Sequence, residues 1–131
     1  MQPNDKKYLS NIRFKHAQEC LDIAKKLIAL NDYKTAANRS YYAVFHAMRS
    51  VLAFDGIDMK HHSGIISEFR RLYIKTGLFD TKLSSYITNL FNVRNDSDYD
   101  DFYIISKEKV LEQINMAEIF LDSVKEFLSK C

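Results

Sequence analysis

The sequence has no tryptophan, a single proline and only three glycines in 131 residues. So little turn-forming material excludes both a β-sandwich, whose many reversals require it, and a Pro- or Gly-rich linker. Helices are favoured before any periodicity is read. Cysteine is scarce as well. Cys20 and Cys131 lie far apart, the second at the frayed terminus, so both read as free thiols and neither has metal-ligand spacing. No apolar run approaches the roughly 20 residues that cross a bilayer, and residues 1–7 open polar without an apolar signal core. The chain therefore reads as cytoplasmic, without a membrane partner. Neither charge is in excess, since a net charge of +2 and a pI of about 8.5 give no global field that commits the protein to nucleic acid. Any RNA binding has to be local.

What is present is a globular balance of 47% hydrophobic and 27% charged residues, in a length suited to a single domain over residues 1–131. Apolar residues recur at helical spacing along most of it. Tyr8, Ile12, Ala17, Leu21, Ala24 and Ile28 predict a first helix over about residues 5–30, ended by Leu30-Asn31-Asp32. A second, roughly 34–55, is apolar on nearly every side and so belongs in the centre of a bundle. Asp55-Gly56 closes it. The third begins near His62-Ser63-Gly64 and carries Ile65, Ile66, Phe69, Leu72 and Tyr73 until Thr76-Gly77 stops it. The fourth opens after Phe79-Asp80-Thr81, with Leu83, Ile87 and Leu90 on one stripe that Arg94 continues by a turn. The polar run from Asn95 to Asp101 interrupts the pattern, because Asn, Asp and Ser compete for backbone hydrogen bonds. Phe102-Tyr103-Ile104-Ile105 is a connector, and the fifth helix starts after Ser106 with Val110, Ile114, Ala117, Leu121, Val124 and Leu128 on one strip. The fold class is all-α, an up-and-down bundle of four to five helices.

Three polar constellations stand out against this background. Arg94, near a helix end, is either clamped by one of Asp96, Asp98, Asp100 and Asp101 or aimed at an anion, since a buried unpaired guanidinium is very costly. The aspartates lack the glycine and terminal glutamate of a calcium loop, so no metal is assigned. On the central helix Arg39, Tyr42, His46 and Arg49 follow spacings of three, four and three, which places them on one polar stripe. They need either acids from neighbouring helices or a phosphate-bearing ligand. At the start of the third helix, Lys60-His61-His62-Ser63-Gly64 combines free helix-terminal amides with a Lys and two imidazoles, which suits phosphate but equally suits a capped helix. No phosphate-binding Gly-rich loop, Cys-x-x-Cys pair or His-Glu-x-x-His is present, so P-loop hydrolysis and zinc proteolysis have no support.

Arg39-Ser40-Tyr41-Tyr42-Ala43-Val44-Phe45-His46-Ala47-Met48-Arg49, then Lys60-His61-His62-Ser63-Gly64, then Arg94 leading into Ser97-Asp98-Tyr99-Asp100-Asp101-Phe102, together resemble the HEPN domain family over almost the whole chain. The resemblance implies a helical bundle, commonly a homodimer, from prokaryotic toxin-antitoxin and defence systems. It implies no cofactor. Many relatives are metal-independent endoribonucleases, and many are encoded beside a minimal nucleotidyltransferase that neutralises them. Their active motif is an Arg followed, after four to six residues, by a His. Arg94 matches the Arg, but the matching positions hold Tyr99, Asp100 and Asp101. Asp101 also stands where some nucleotidyltransferase-paired relatives carry a Tyr that accepts adenylyl groups. A phenol with an ordinary pKa near 10 is a poor default for proton transfer at neutral pH. The resemblance thus makes Arg94 and Tyr99 the candidate catalytic pair, with Arg39, His46, Arg49, His61 and His62 as candidate phosphate- or nucleotide-binding residues.

Overall fold

A computed structural model describes residues 2–131, which form five α-helices: α1 (Pro3–Ala29), α2 (Tyr33–Phe54), α3 (His62–Phe69), α4 (Lys82–Tyr99) and α5 (Lys107–Ser129). Among the described residues there is no strand, and no helix is long and apolar enough to cross a membrane. The expected all-α bundle is present. Both α2 and α5 begin on the side-chain caps their sequences offer, Asp32 accepting from Thr35 N at 3.2 Å and Ser106 from Lys109 N at 3.1 Å.

α2 is the central helix, as its all-round apolar surface predicts. Thirteen of its 22 residues are buried, and it packs against α1, α3, α4 and α5. Its longest contact is with α1, where the chemistry favours close approach. Ala36, Ser40, Ala43, Ala47 and Ser50 are buried at alternating spacings of four and three, and Ser10, Ala17 and Ala24 are buried on α1 at intervals of seven. Side chains this small allow two helix backbones to come near, and Ser10 Oγ donates across the seam to the Ser50 carbonyl at 2.7 Å. The buried face of α1 keeps Ala17, Leu21 and Ala24 of the expected stripe and departs from it in the first half of the helix. Ser10, Arg13, Ala17 and Cys20 face inward while Tyr8 is exposed.

α3 continues directly into a π-helical turn, Arg70–Ile74, in which Lys75 N reaches the Arg70 carbonyl at 2.9 Å. The wider turn adds a residue and changes the facing of everything after it. Tyr73 points into the core, its hydroxyl donating to Asp55, while Arg70 turns to α4 and donates to the Ser84 carbonyl at 2.9 Å. Gly77 then breaks the helix with a positive φ of 81°.

α4 departs from the sequence expectation. The polar run does not interrupt it, and the helix continues through Asn95, Asp96, Ser97 and Asp98 to Tyr99. Two features explain the extra turn. The buried stripe of Leu83, Ile87 and Leu90 runs on through Val93 and Ser97, and Asp98 lies one turn after Arg94, where opposite charges at i and i+4 support a helix. Arg94 flanks that stripe rather than extending it.

Candidate functional site

Arg94 meets α2 at Tyr42. Its side chain is 15% exposed, and Nη2 donates to the Tyr42 hydroxyl at 3.0 Å while the guanidinium lies 5.4 Å from the ring centroids of both Tyr41 and Tyr42. Of the four neighbouring aspartates, Asp98 is its partner. Arg94 Nε is 3.0 Å from Asp98 Oδ2, close enough for an ion pair, but its N–H is not directed at the oxygen and makes no hydrogen bond. Asn38 Nδ2 shares the same carboxylate oxygen at 3.3 Å. Arg39 lies over the Tyr42 ring at 5.1 Å and has Asn38 Oδ1, not a carboxylate, as its hydrogen-bond acceptor. Arg39 and Arg94 therefore share one tyrosine, and among the described residues Asp98, beside Arg94, is the one carboxylate paired to either.

His62 joins this platform from α3. Its Nδ1 is 2.9 Å from the Tyr41 hydroxyl, and its ring stacks on Phe45 at 4.0 Å and meets Tyr42 edge-on at 5.7 Å. Burial lowers the His62 pKa first, and the charges of Arg94 and Arg49 lower it further, so the ring is neutral near pH 7. Burial likewise raises the Tyr41 hydroxyl to about 12, which keeps it protonated.

The lower half of the α2 stripe forms a second cluster that adjoins the platform, the His46 and Tyr42 ring centroids lying 6.1 Å apart. Arg49 Nη2 and Arg13 Nη2 both donate to Asp58 Oδ1, at 3.3 and 2.7 Å. The hydrogen bond from Arg13, above all, holds the Asp58 carboxyl below its ordinary range. His46 stands beside His16, ring centroids 5.9 Å apart, with its Nδ1 buried and unpartnered. Burial, and then the charges of His16, Arg49, Arg39 and Arg13, push its pKa down to about 4.

Two candidates lie apart from both clusters. His61 is exposed at the N-cap of α3, where its side chain makes no capping bond. Tyr99 is 77% exposed, and five residues of helix set it about 140° around the axis from Arg94. In a single chain the two do not share a face. The site also includes residues that the sequence pattern did not single out. Asn38 could have been found, being four residues before Tyr42 on the same face, and Arg13 too, since it continues the Ser10–Ala17 line of α1. Asp58 carries no such signal, because it reaches Arg13 across 45 residues from an irregular segment.

An all-helical bundle whose polar platform is built on the central helix and completed by an arginine near the end of α4 defines the class of protein. The HEPN domain profile matches residues 10–127, and the chain belongs to that family. Among its relatives, a "UPF0332 protein" of Thermotoga maritima is 32% identical over 125 residues, covering 95% of each chain. A Methanocaldococcus jannaschii protein named a "putative toxin" is 32% identical over 112 residues, 86% of this chain and 76% of its own. An Archaeoglobus fulgidus "UPF0332 protein" is 30% identical over 119 residues, 91% and 94% of the two.

Proposed function

We propose that this HEPN-domain chain is the component of a toxin-antitoxin-type module that binds RNA or nucleotide phosphate, and that it works as a homodimer. The toxin names of two Methanocaldococcus jannaschii relatives support the module. The binding mode rests on one observation above all: Arg39 and Arg94 lie against Tyr42, Asp98 is paired with Arg94 and not with Arg39, and Arg94 Nε is not hydrogen-bonded to it. A phosphate entering here takes the place of a poorly aligned carboxylate and gains two guanidinium partners. Metal-free cleavage would also need a group to accept the 2′-hydroxyl proton. With Tyr99 turned away, the imidazole available on the platform is His62, neutral and held by Tyr41.

Arg94→Ala should weaken binding of a short oligoribonucleotide about ten- to a hundred-fold, the range for losing charged hydrogen bonds. Fluorescence anisotropy without added metal measures this, and light scattering on the same sample should give the mass of two chains. Equal affinity for wild type and variant would overturn the reading. RNA left equally intact by both would remove cleavage from it.

A second reading, docking of a minimal nucleotidyltransferase, is favoured by the end of α4 and the connector that follows. Tyr99, Phe102 and Ile104 are 77%, 92% and 92% exposed, beside the exposed acids Asp96, Asp100 and Asp101. Large apolar groups this exposed mark an interaction surface. A Phe102→Glu, Ile104→Glu variant should fold normally yet lose co-purification with a co-expressed minimal nucleotidyltransferase. Undiminished recovery of the complex would exclude this surface.

A further inference from the structure

A cavity with a charged edge lies away from Arg94, in the groove between α4 and the π-helical continuation of α3. It measures about 500 Å³, within the range of small-ligand pockets and much larger than a bare phosphate requires. One side is cationic: Arg70, Arg71 and Lys75 all line it. Arg71 is paired with Glu68 at 2.8 Å, but Arg70 is held by neutral oxygens, with Nε to Ser84 Oγ at 3.0 Å and Nη2 to the Ser84 carbonyl at 2.9 Å. Among the described residues no carboxylate comes within 4 Å of Arg70 or Lys75. Three cations less the one acid, Glu68, leave a net charge of +2, as much as the whole chain carries. The π-helical turn creates this arrangement by directing Arg70 onto α4 while Arg71 and Lys75 stay at the open edge.

The α4 side is apolar at Ile87 and the half-buried ring of Phe91, Ile66 of α3 adds to the apolar lining, and Ser67 and Thr88 contribute hydroxyls. A phosphate alone would satisfy the cations and leave that lining in water. A cationic edge with an aromatic ring in the lining at this size fits a phosphate joined to a flat, partly apolar group.

We infer that this cavity binds a nucleoside phosphate, its phosphate at Arg71 and Lys75 against the fixed Arg70 and its base along Phe91. Such a group occurs in two forms, a free nucleotide and a residue of an RNA strand. The site is distinct from the Arg94 platform. Phe91 separates them, its ring meeting Tyr41 edge-on at 5.8 Å while Arg94 lies over Tyr41.

The test titrates the full chain with AMP, with inorganic phosphate and with a 5′-phosphorylated hexaribonucleotide, followed by amide NMR shifts. AMP should saturate more tightly than phosphate and shift residues of the π-helical turn and the middle of α4. Arg71→Glu with Lys75→Glu, both at exposed positions, should weaken it about ten-fold, and Glu68→Gln should tighten it by removing the one acid. In Arg94→Ala the AMP-induced shifts of the π-helical turn should persist while any shifts around Tyr42 are lost, which separates this cavity from the platform. Hexaribonucleotide binding lost in the double variant, with AMP silent, supports the same site and makes an RNA strand the source. The inference is overturned if neither nucleotide form shifts the cavity residues, if phosphate binds as tightly as AMP, or if the double variant binds both as wild type does.

Discussion

Phe69→Ala is expected to destabilise the protein by about 4 kcal/mol, the upper part of the range for large-to-small substitutions in a core. The reason is its position. Phe69 is fully buried, with ring centroids 5.5 Å from Tyr73, 5.4 Å from Phe79 and 5.6 Å from Phe120, so one ring joins α3, the segment leading to α4, and α5. Truncation leaves a space that three other aromatic rings, themselves fixed by neighbours, close only in part. Domains of this kind are stable by roughly 5–15 kcal/mol, so the loss is a large fraction of the total. It corresponds to a fall in thermal midpoint of about 15 °C. Circular dichroism melting of wild type and variant measures it. A fall of only a few degrees would mean that this aromatic cluster is not part of the cooperative core. Because Phe69 touches neither Tyr42 nor Arg94, oligoribonucleotide affinity measured well below the lowered midpoint should be unchanged.

The second large effect is on acid stability and comes from His46. Its pKa is about 4 in the folded protein against an ordinary 6.5, so between these values the unfolded chain binds the proton and the folded chain does not. Stability therefore falls as pH drops through that window. Nothing is lost above pH 6.5, where the ring is neutral in both states, and the cost grows by about 1.4 kcal/mol per pH unit to roughly 3 kcal/mol below pH 4. His62, also lowered, adds in the same direction, whereas the depressed Asp58 removes stability only below the ordinary carboxylate range. Urea unfolding at pH 7 and pH 4.5 measures the slope. His46→Gln should flatten it, and a wild-type slope retained in that variant would assign the acid lability elsewhere. At neutral pH an uncharged His46 is what allows Arg39, Arg49 and Arg13 to stand around it without further repulsion.

Much of the architecture was legible because it is periodic. The central position of α2 follows from apolar residues on nearly every side, and the α5 strip from Val110 to Val124 is buried as its spacing requires. Legibility failed where partners act over distance. The run from Asn95 to Tyr99 reads as a helix breaker one residue at a time, yet it is helical because Asp98 pairs with Arg94 and Ser97 is covered by the bundle. The site divides in the same way. The stripe of Arg39, Tyr42, His46 and Arg49 was visible, but its division into an upper half facing Arg94 and a lower half facing Asp58 depends on which loop crosses which helix. The missing motif His could be read directly. That His62 shares the tyrosine platform with Arg94 could not, since 32 residues separate them in sequence and α2 alone joins them in space.

The small-residue seam between α1 and α2 has an entropic consequence. An alanine has no side-chain rotamers to lose and a serine has few, whereas burial of a long side chain costs up to about 2 kcal/mol in lost freedom. Pressing Ala17, Ala24, Ala36, Ala43 and Ala47 together orders backbone and almost nothing else. The link between the helices, residues 30–32, is also short, so little chain has to be closed to bring them into contact. The most extensive helix–helix contact in the molecule is thus assembled with very little side-chain order lost, and the polar platform of α2 is built on that hairpin.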